Sequence, residues 1–181
     1  MKEEFTLTVF SENVVGLLNQ VTTVFTRRHI NIESITASAS AIKGIHKFTI
    51  VIFTTQEQVE KLVGQIEKRI DVLKAYYFRN NEIVYQEIAL YKVPTKSLLE
   101  GNEVEQLVRK HGARILELTE EYTVIQKTGY KEETQYLYEK LQPYGLTQFT
   151  RSGRVAVNRL KKEPLTTWLK TLEEDRLKVE A

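Results

Sequence analysis

The sequence predicts an α+β protein made of two ferredoxin-like βαββαβ domains in tandem, at residues 1–80 and 81–160. Strand-like and helix-like hydrophobic patterns follow one another in the same order in both halves. The chain has 181 residues, enough for one ordinary domain or two small ones. It is 41% hydrophobic and 28% charged, as in ordinary globular proteins. Residues 161–181 follow as a charged tail that we predict to be helical.

In the first half, the hydrophobic residues switch between a period of two and a period of 3.6. Phe5, Leu7 and Val9 alternate with threonines, which is typical of a strand with one buried face. An amphipathic helix follows and ends at Arg27 and Arg28, where cations suit the helix dipole. The predicted strands are 4–11, 30–35, 48–52 and 71–77, and the predicted helices are 17–28 and 55–70.

The second half repeats this order after a predicted linker at 80–86. Pro94 ends its first strand, and Gly112 ends the helix that follows, because proline and glycine interrupt regular elements. Its second helix contains Leu137 and Leu141 on one face. The predicted strands are 88–93, 113–118, 122–128 and a final strand supplied by 146–149 and 155–157.

Each predicted half is small, about 75–80 residues, and a domain of that size buries only a modest core. A ferredoxin-like sheet also has two open edges and one face without helices. Open edges favour pairing with another chain. We therefore expect a homo-oligomer, most simply a two-fold dimer.

The composition excludes several classes of partner. Lys and Arg number 26 and Asp and Glu 24, which leaves a net charge of +2 and no electrostatic footprint for nucleic acid. The chain has no cysteine, so it has no disulfide, thiolate nucleophile or cysteine-based zinc site. The apolar runs are too short to span a membrane, and the N-terminus lacks a signal-peptide pattern. We expect a cytoplasmic protein without nucleic-acid or membrane partners.

No catalytic or metal-binding residue is predicted. The three histidines, His29, His46 and His111, are not spaced as metal ligands. The chain contains no glycine-rich phosphate loop, no nucleophile elbow and no His-Glu-x-x-His motif. An enzyme is therefore the weakest of the possible interpretations.

The most site-like residues are Asn13, Gly16 and Asn31. Gly16 lies between a predicted strand and a predicted helix, where a ligand can approach the backbone closely and free N–H groups attract a carboxylate. Asn13 and Asn31 can each donate and accept hydrogen bonds, which suits the two charged groups of an amino acid. The same residues are also compatible with a turn glycine and two capping asparagines.

A longer series of motifs, spanning roughly residues 5–157, is more specific. The motifs are Asn13-x-x-Gly16-x-Leu18, Arg28-x-x-Asn31-Ile32-Glu33-Ser34-Ile35, residues 65–68 running into 71–73, residues 87–93, and Arg151-Ser152-Gly153. This series resembles the regulatory (small) subunit of acetolactate synthase, also called acetohydroxyacid synthase. In that family the N-terminal half is an ACT domain, a ferredoxin-like module that binds amino acids.

The resemblance implies a non-catalytic subunit that binds no cofactor itself. It implies a partner, the large catalytic subunit, which uses thiamine diphosphate, Mg²⁺ and FAD to condense pyruvate with pyruvate or 2-oxobutyrate. The small subunit would activate this partner and confer feedback inhibition by a branched-chain amino acid, usually valine. The implied effector site holds the charged end of the ligand at Asn13, Asn31 and the Gly16 backbone. Its branched side chain would lie against Val15, Leu17 or Ile32.

The sequence departs from the family at three places near this site. His29 stands where the family often has glycine, and Gln20 where arginine is common. Val14 and Val15 replace a small or polar pair, or a proline, before the loop glycine. These departures concern the identity and strength of the effector rather than the fold.

Two questions stay open at this point. The alternative function is a free-standing ACT-domain amino-acid sensor, for example a transcriptional regulator, although the near-neutral charge and the lack of a helix-turn-helix segment count against it. The Arg151-Ser152-Gly153 motif is compatible both with a structural role at the last strand and with a contact to a partner subunit.

Overall fold

The first unit is built on a four-stranded antiparallel sheet with the strand order β2-β3-β1-β4. The structure is a computed structural model and describes residues 1–179. The strands are β1 (Lys2–Glu12), β2 (Ile32–Ala39), β3 (Ile45–Thr55) and β4 (Val72–Arg79), and the helices are α1 (Leu17–Arg27) and α2 (Gln56–Ile66). This is the predicted βαββαβ arrangement.

Both helices cover one face of this sheet. Phe5, Leu7 and Val9 of β1 are fully buried, because alternate residues of a strand point to the same face. The apolar stripes of α1 and α2 pack into the same core cluster. Thr55 caps α2 in a capping box with Gln58, which fixes where the chain leaves β3 and enters the helix.

A second antiparallel sheet follows in the chain, with the strand order β6-β7-β5-β8, and β9 also pairs with β5. The strands are β5 (Ile83–Pro94), β6 (Arg114–Leu118), β7 (Tyr122–Gly129), β8 (Gln148–Arg151) and β9 (Val155–Asn158), and the helices are α3 (Thr95–Leu99), α4 (Glu103–Lys110) and α5 (Lys131–Leu141). The predicted α+β fold with two ferredoxin-like repeats is therefore confirmed.

Three features of the structure differ from the sequence prediction. The predicted linker at 80–86 is only a 3₁₀ turn at Asn80–Glu82, and β5 starts at once with the buried Ile83. The short helix α3 was not predicted. The predicted final strand is two strands, β8 and β9, because Gly153 adopts a φ of 75° that breaks an extended chain.

The C-terminal segment returns to the first unit. The chain divides into one compact unit of Met1–Val84 with the residues from Ala156 onward, and another of Tyr85–Val155. Both boundaries thus differ by a few residues from 80/81 and 160/161. Helix α6 (Pro164–Val179) forms most of the returning segment. Residues 180 and 181, the end of the predicted helical tail, lie outside the described residues.

This segment lies beside the sheet face that α1 and α2 leave free. Thr6, Thr8 and Phe10 of β1 point to that face and are nevertheless buried. Asn158, Glu163 and Pro164 line a small cavity together with Thr8 and Phe10. The Nζ of Lys47 on β3 lies 3.8 Å from a carboxylate oxygen of Glu163, and Leu165 is fully buried. The expectation of a sheet face without helices is therefore wrong for the first unit. No described helix is long and apolar enough to cross a membrane.

Candidate effector site

The start of α1 offers free backbone donors next to open space. Gly16 precedes the helix with a φ of 85°, in the left-handed region that favours glycine. No side chain caps the helix, and its first turn contains no acidic residue. A methyl group added to Gly16 would meet no atom within 4 Å. A carboxylate can therefore reach the N–H groups and the positive end of the helix dipole.

Apolar side chains surround this helix start. Val15 is fully exposed, and Val14 and Leu18 are 42% and 45% exposed. Such a group of exposed branched side chains is suited to an aliphatic ligand side chain. Val14 and Leu18 were not among the predicted site residues. Their positions, two residues before and two residues after Gly16, could have indicated them.

Leu17 differs from the other predicted site residues because its side chain is buried. Its side chain is only 2% exposed and belongs to the core of the first unit. Its backbone N–H donates to the carbonyl oxygen of Val14 at 3.3 Å. Leu17 thus anchors the loop, whereas Asn13 beside it is exposed.

The other predicted residues, Asn31 and Ile32, follow the end of α1. Asn31 is exposed, and Ile32, the first residue of β2, is partly buried against the core. The position of Asn31 is fixed by the way the helix ends. The N–H of Ile30 donates to the carbonyl oxygen of Phe25 at 3.1 Å, and that of His29 to Thr26 at 3.0 Å.

These two hydrogen bonds form a Schellman motif, which needs a residue with positive φ after the helix. His29 is that residue, with a φ of 53°, and it is the non-glycine residue with positive φ in the described chain. Ile30 and Phe25 are both buried in the core, as is common for the residues at these two positions of the motif. The histidine therefore occupies the backbone conformation that the family's glycine favours.

The two groups of predicted residues lie at opposite ends of the sheet. β1 and β2 both pair antiparallel with β3 and so run in the same direction. Ile52 of β3 pairs with both Ile32 at the start of β2 and Phe5 near the start of β1. Glu12, at the end of β1, pairs with Ile45 at the opposite end of β3. Phe5 and Glu12 are seven residues apart, about 23 Å along a strand. One copy of the chain therefore does not bring Asn13 and Gly16 together with Asn31.

The Arg151-Ser152-Gly153 motif has structural contacts within the second unit. The Nε of Arg151 lies 3.3 Å from a carboxylate oxygen of the buried Glu87. Ser152 bonds twice to Ile88, donating its N–H to the carbonyl oxygen at 2.9 Å and accepting the Ile88 N–H on Oγ at 3.0 Å. The motif thus fastens the end of β8 to β5.

A buried polar network surrounds Glu87. Thr134 donates from its hydroxyl to the Glu87 carboxylate, and Tyr91 donates to the carbonyl oxygen of Thr134 at 2.7 Å. Burial raises the pKa of the Tyr91 hydroxyl well above its usual range, so this group stays neutral as a donor. Among the described residues, no group of three or more His, Asp or Glu side chains could hold a metal ion. The hydrogen bonds of Tyr91 and Glu87 with Thr134 hold β5 against α5.

The comparisons with known proteins agree with the fold and the motifs. Residues 7–74 match the family described as the AHAS small subunit-like ACT domain. Residues 86–160 match the small subunit of acetolactate synthase. The acetolactate synthase small subunit of Bacillus subtilis is 36% identical over 160 residues, which cover 88% of this chain and 91% of that protein. The chain belongs to the acetolactate synthase small-subunit family.

Other members of the family show the same extent of similarity. The acetolactate synthase small subunit of Mycolicibacterium smegmatis is 32% identical over 85% of this chain and 90% of its own length. The crystal structure of the small subunit from Thermotoga maritima superposes with a TM-score of 0.80 and 26% identity. The superposed part covers 88% of this chain and 99% of the Thermotoga maritima chain. Both repeats of the acetolactate synthase small subunit are thus present here.

Proposed function

We propose that this protein is the regulatory subunit of acetolactate synthase and confers inhibition by a branched-chain amino acid, with valine as the first candidate. Its partner is the large catalytic subunit, which it activates and which carries thiamine diphosphate, Mg²⁺ and FAD. Family membership supports the partner. The observation that supports an amino-acid effector is the uncapped start of α1 at Gly16, with exposed apolar side chains beside it.

The two halves of the effector site come together only in a dimer. β2 lies at the edge of the first sheet and, among the described strands, pairs only with β3. A two-fold axis beside β2 reverses the direction of the second copy. The partner's Asn31 then lies at the sheet end where Gly16 of the first copy lies. We therefore propose a homodimer through β2, with two equivalent sites.

Each group of the ligand has a matching group in this site. The carboxylate binds the N–H groups at the start of α1. The ammonium group donates to the amide oxygens of Asn13 and of the partner's Asn31. The branched side chain lies against Val15 and the partner's Ile32, while Leu17 holds the loop through its buried side chain. Because both copies contribute contacts, the affinity for the ligand depends on how the two copies are arranged.

Inhibition follows if the ligand binds the inhibited arrangement of the two subunits better than the active one. Differences of about 1–3 kcal/mol are typical of such coupling and change affinity by about 5–150-fold. By the same linkage, binding of the catalytic subunit must change the affinity for the amino acid. A ligand that bound both arrangements equally would have no effect on activity.

The test is to purify this protein with the catalytic subunit encoded by the same genome. We expect a stable complex, higher acetolactate formation than with the catalytic subunit alone, and inhibition by valine, leucine or isoleucine. This protein alone should not turn over pyruvate. Failure of the two proteins to associate, or no change in activity on mixing, would contradict the proposal. Activation without any response to the three amino acids would contradict only the effector part.

A further inference from the structure

A cleft of about 570 Å³ lies beside the end of α1 and along α2, from Gln58 near the start of that helix to Arg69 just after it. Arg27, Arg28 and His29 line it from the end of α1, and Lys68 and Arg69 from the turn after α2. Val24, Gln58 and Gln65 complete the lining. None of the effector-site residues lines this cleft, so it is a separate place in the first unit.

The cleft has an unbalanced positive charge. Its lining includes three arginines and a lysine but no Asp or Glu. Within the described side chains, no ion pair shorter than 4.0 Å involves Arg27, Arg28, Lys68 or Arg69. Chains with nearly equal numbers of both signs, such as this one, normally intersperse them. The cluster is therefore a local excess that a bound anion would neutralise.

The helix dipoles do not account for this cluster. Each helix C-terminus carries about −0.5 of an elementary charge, so two of them offset about one of the four cations. The last carbonyl groups of α1 are already bonded by the N–H groups of His29 and Ile30. About three positive charges thus remain without a counter-charge in the cleft.

Two of the arginines are arranged to receive a ligand. The Nε of Arg28 donates to Oε1 of Gln65 at 2.6 Å, which holds the guanidinium and leaves Nη1 and Nη2 for a bidentate acceptor. The Nε of Arg69 is buried and has no hydrogen-bond partner in the described chain. Because buried polar groups are nearly always hydrogen-bonded, the Arg69 guanidinium has unsatisfied hydrogen-bonding capacity beside the cleft.

We propose that this cleft binds a small molecule through a phosphate group with two or more negative charges. Arginine forks match the oxygens of phosphate bidentately, which favours three arginines over three lysines. The volume lies within the 300–1,000 Å³ that is usual for small-molecule sites. An acidic peptide would need an extended basic surface, whereas these charges converge on one recess. This site is a second ligand input, independent of the amino-acid effector.

The experiment is calorimetric titration of the full chain with inorganic pyrophosphate, a minimal probe of this chemistry. It needs neither valine nor the catalytic subunit, so its result is independent of the proposed regulatory function. We expect saturable one-site binding that Arg69→Gln and Arg28→Gln each weaken about tenfold or more. Lys68→Gln should also weaken binding, and its exposed side chain can change without disturbing the fold.

Lys61→Gln is the matched control, because Lys61 lies on α2, pairs with Glu57 and does not line the cleft. It removes the same charge and should leave the affinity unchanged. Absence of pyrophosphate binding, or an equal loss in Lys61→Gln, would overturn the proposal. Tighter binding of a hexaglutamate peptide that competes with pyrophosphate would also overturn it, in favour of a protein partner.

Discussion

His29 and Gly112 occupy the same position after the first long helix of each unit. Their φ angles are 53° and 59°. In both places the N–H of the next residue reaches back over the helix end, from Ile30 to Phe25 at 3.1 Å and from Ala113 to Val108 at 2.9 Å. Both repeats therefore end a helix by the same Schellman motif. In the second repeat the positive φ belongs to Gly112, which adopts it readily, whereas in the first it belongs to His29, which does not.

The first prediction follows from this pair. His29→Gly should raise the free energy of unfolding by about 0.5–1 kcal/mol, because relief of the left-handed conformation outweighs the added chain entropy. Gly112→Ala should lower it by about 1 kcal/mol. Denaturant unfolding of each variant measures both values.

Gly64 provides the control for these two substitutions. It lies inside α2 without a positive φ, and an added methyl group would meet no atom within 4 Å. Gly64→Ala should therefore stabilise the chain by about 0.5–1 kcal/mol. If Gly112→Ala had the same sign as Gly64→Ala, the interpretation of the helix ends would be wrong.

The second prediction concerns the buried pair of Glu87 and Arg151. Arg151→Met should destabilise the second unit by about 3 kcal/mol, because it leaves a buried carboxylate without its cation. The pair Lys96 and Glu100 is a matched control, since its N–O distance is also 3.3 Å but both side chains are largely exposed. Lys96→Met should cost less than about 0.5 kcal/mol. Thermal unfolding distinguishes the two, and equal losses would show that burial is not the cause.

The third prediction tests the effector site. Asn31→Ala should weaken inhibition by valine about ten- to a hundredfold and leave activation of the catalytic subunit largely unchanged. Loss of one hydrogen bond to a charged ligand group costs about 1.5–3 kcal/mol. The readout is the valine concentration that gives half-inhibition of the reconstituted enzyme. Asn102→Ala is the control, because Asn102 is exposed and makes no side-chain cap on α4. An Asn31 variant inhibited like the parent would place the site elsewhere.

The fourth prediction is a titration. Burial, and then the nearby charges of Lys110, Lys127 and Lys140, lower the pKa of His111 from its usual 6.5. A histidine with a lowered pKa binds its proton less readily in the folded state than in the unfolded state. Its contribution to stability is therefore complete above pH 6.5 and is lost as the pH falls below 6.5.

An NMR titration of His111 should give a midpoint below 6.5, and Lys140→Gln should raise it. The matched substitution Lys61→Gln removes a charge that does not act on His111 and should leave the midpoint unchanged. A midpoint at or above 6.5 in the parent would contradict the arrangement of charges around this residue.

Hydrophobic periodicity predicted most of the fold because it directly reports which face of an element is buried. Phe5, Leu7 and Val9 predict β1 for this reason, and they point into the core. The pattern was insufficient where polar residues begin a strand region, as at Asn80 and Asn81 before β5. It could not show that the C-terminal segment lies beside β1, because a helical pattern does not specify the surface it meets.

The candidate site was predictable as residues but not as geometry. Gly16 and Asn31 have recognisable motifs around them, yet only the strand register shows that they lie at opposite ends of the sheet. Arg27 and Arg28 were interpreted as partners of the helix dipole alone. Their place in a basic cleft depends on Lys68 and Arg69, about forty residues later in the chain, and periodicity carries no information about such long-range proximity.

The return of the C-terminal segment to the first unit has a consequence for folding during translation. Domains generally fold in the order in which they emerge. Here residues that emerge after the second unit belong with the first strand, since Pro164 and Glu163 share a cavity lining with Thr8 and Phe10. One face of the sheet in the first unit therefore stays uncovered until the second unit has been translated. A premature stop codon between the two would release a chain with that face exposed.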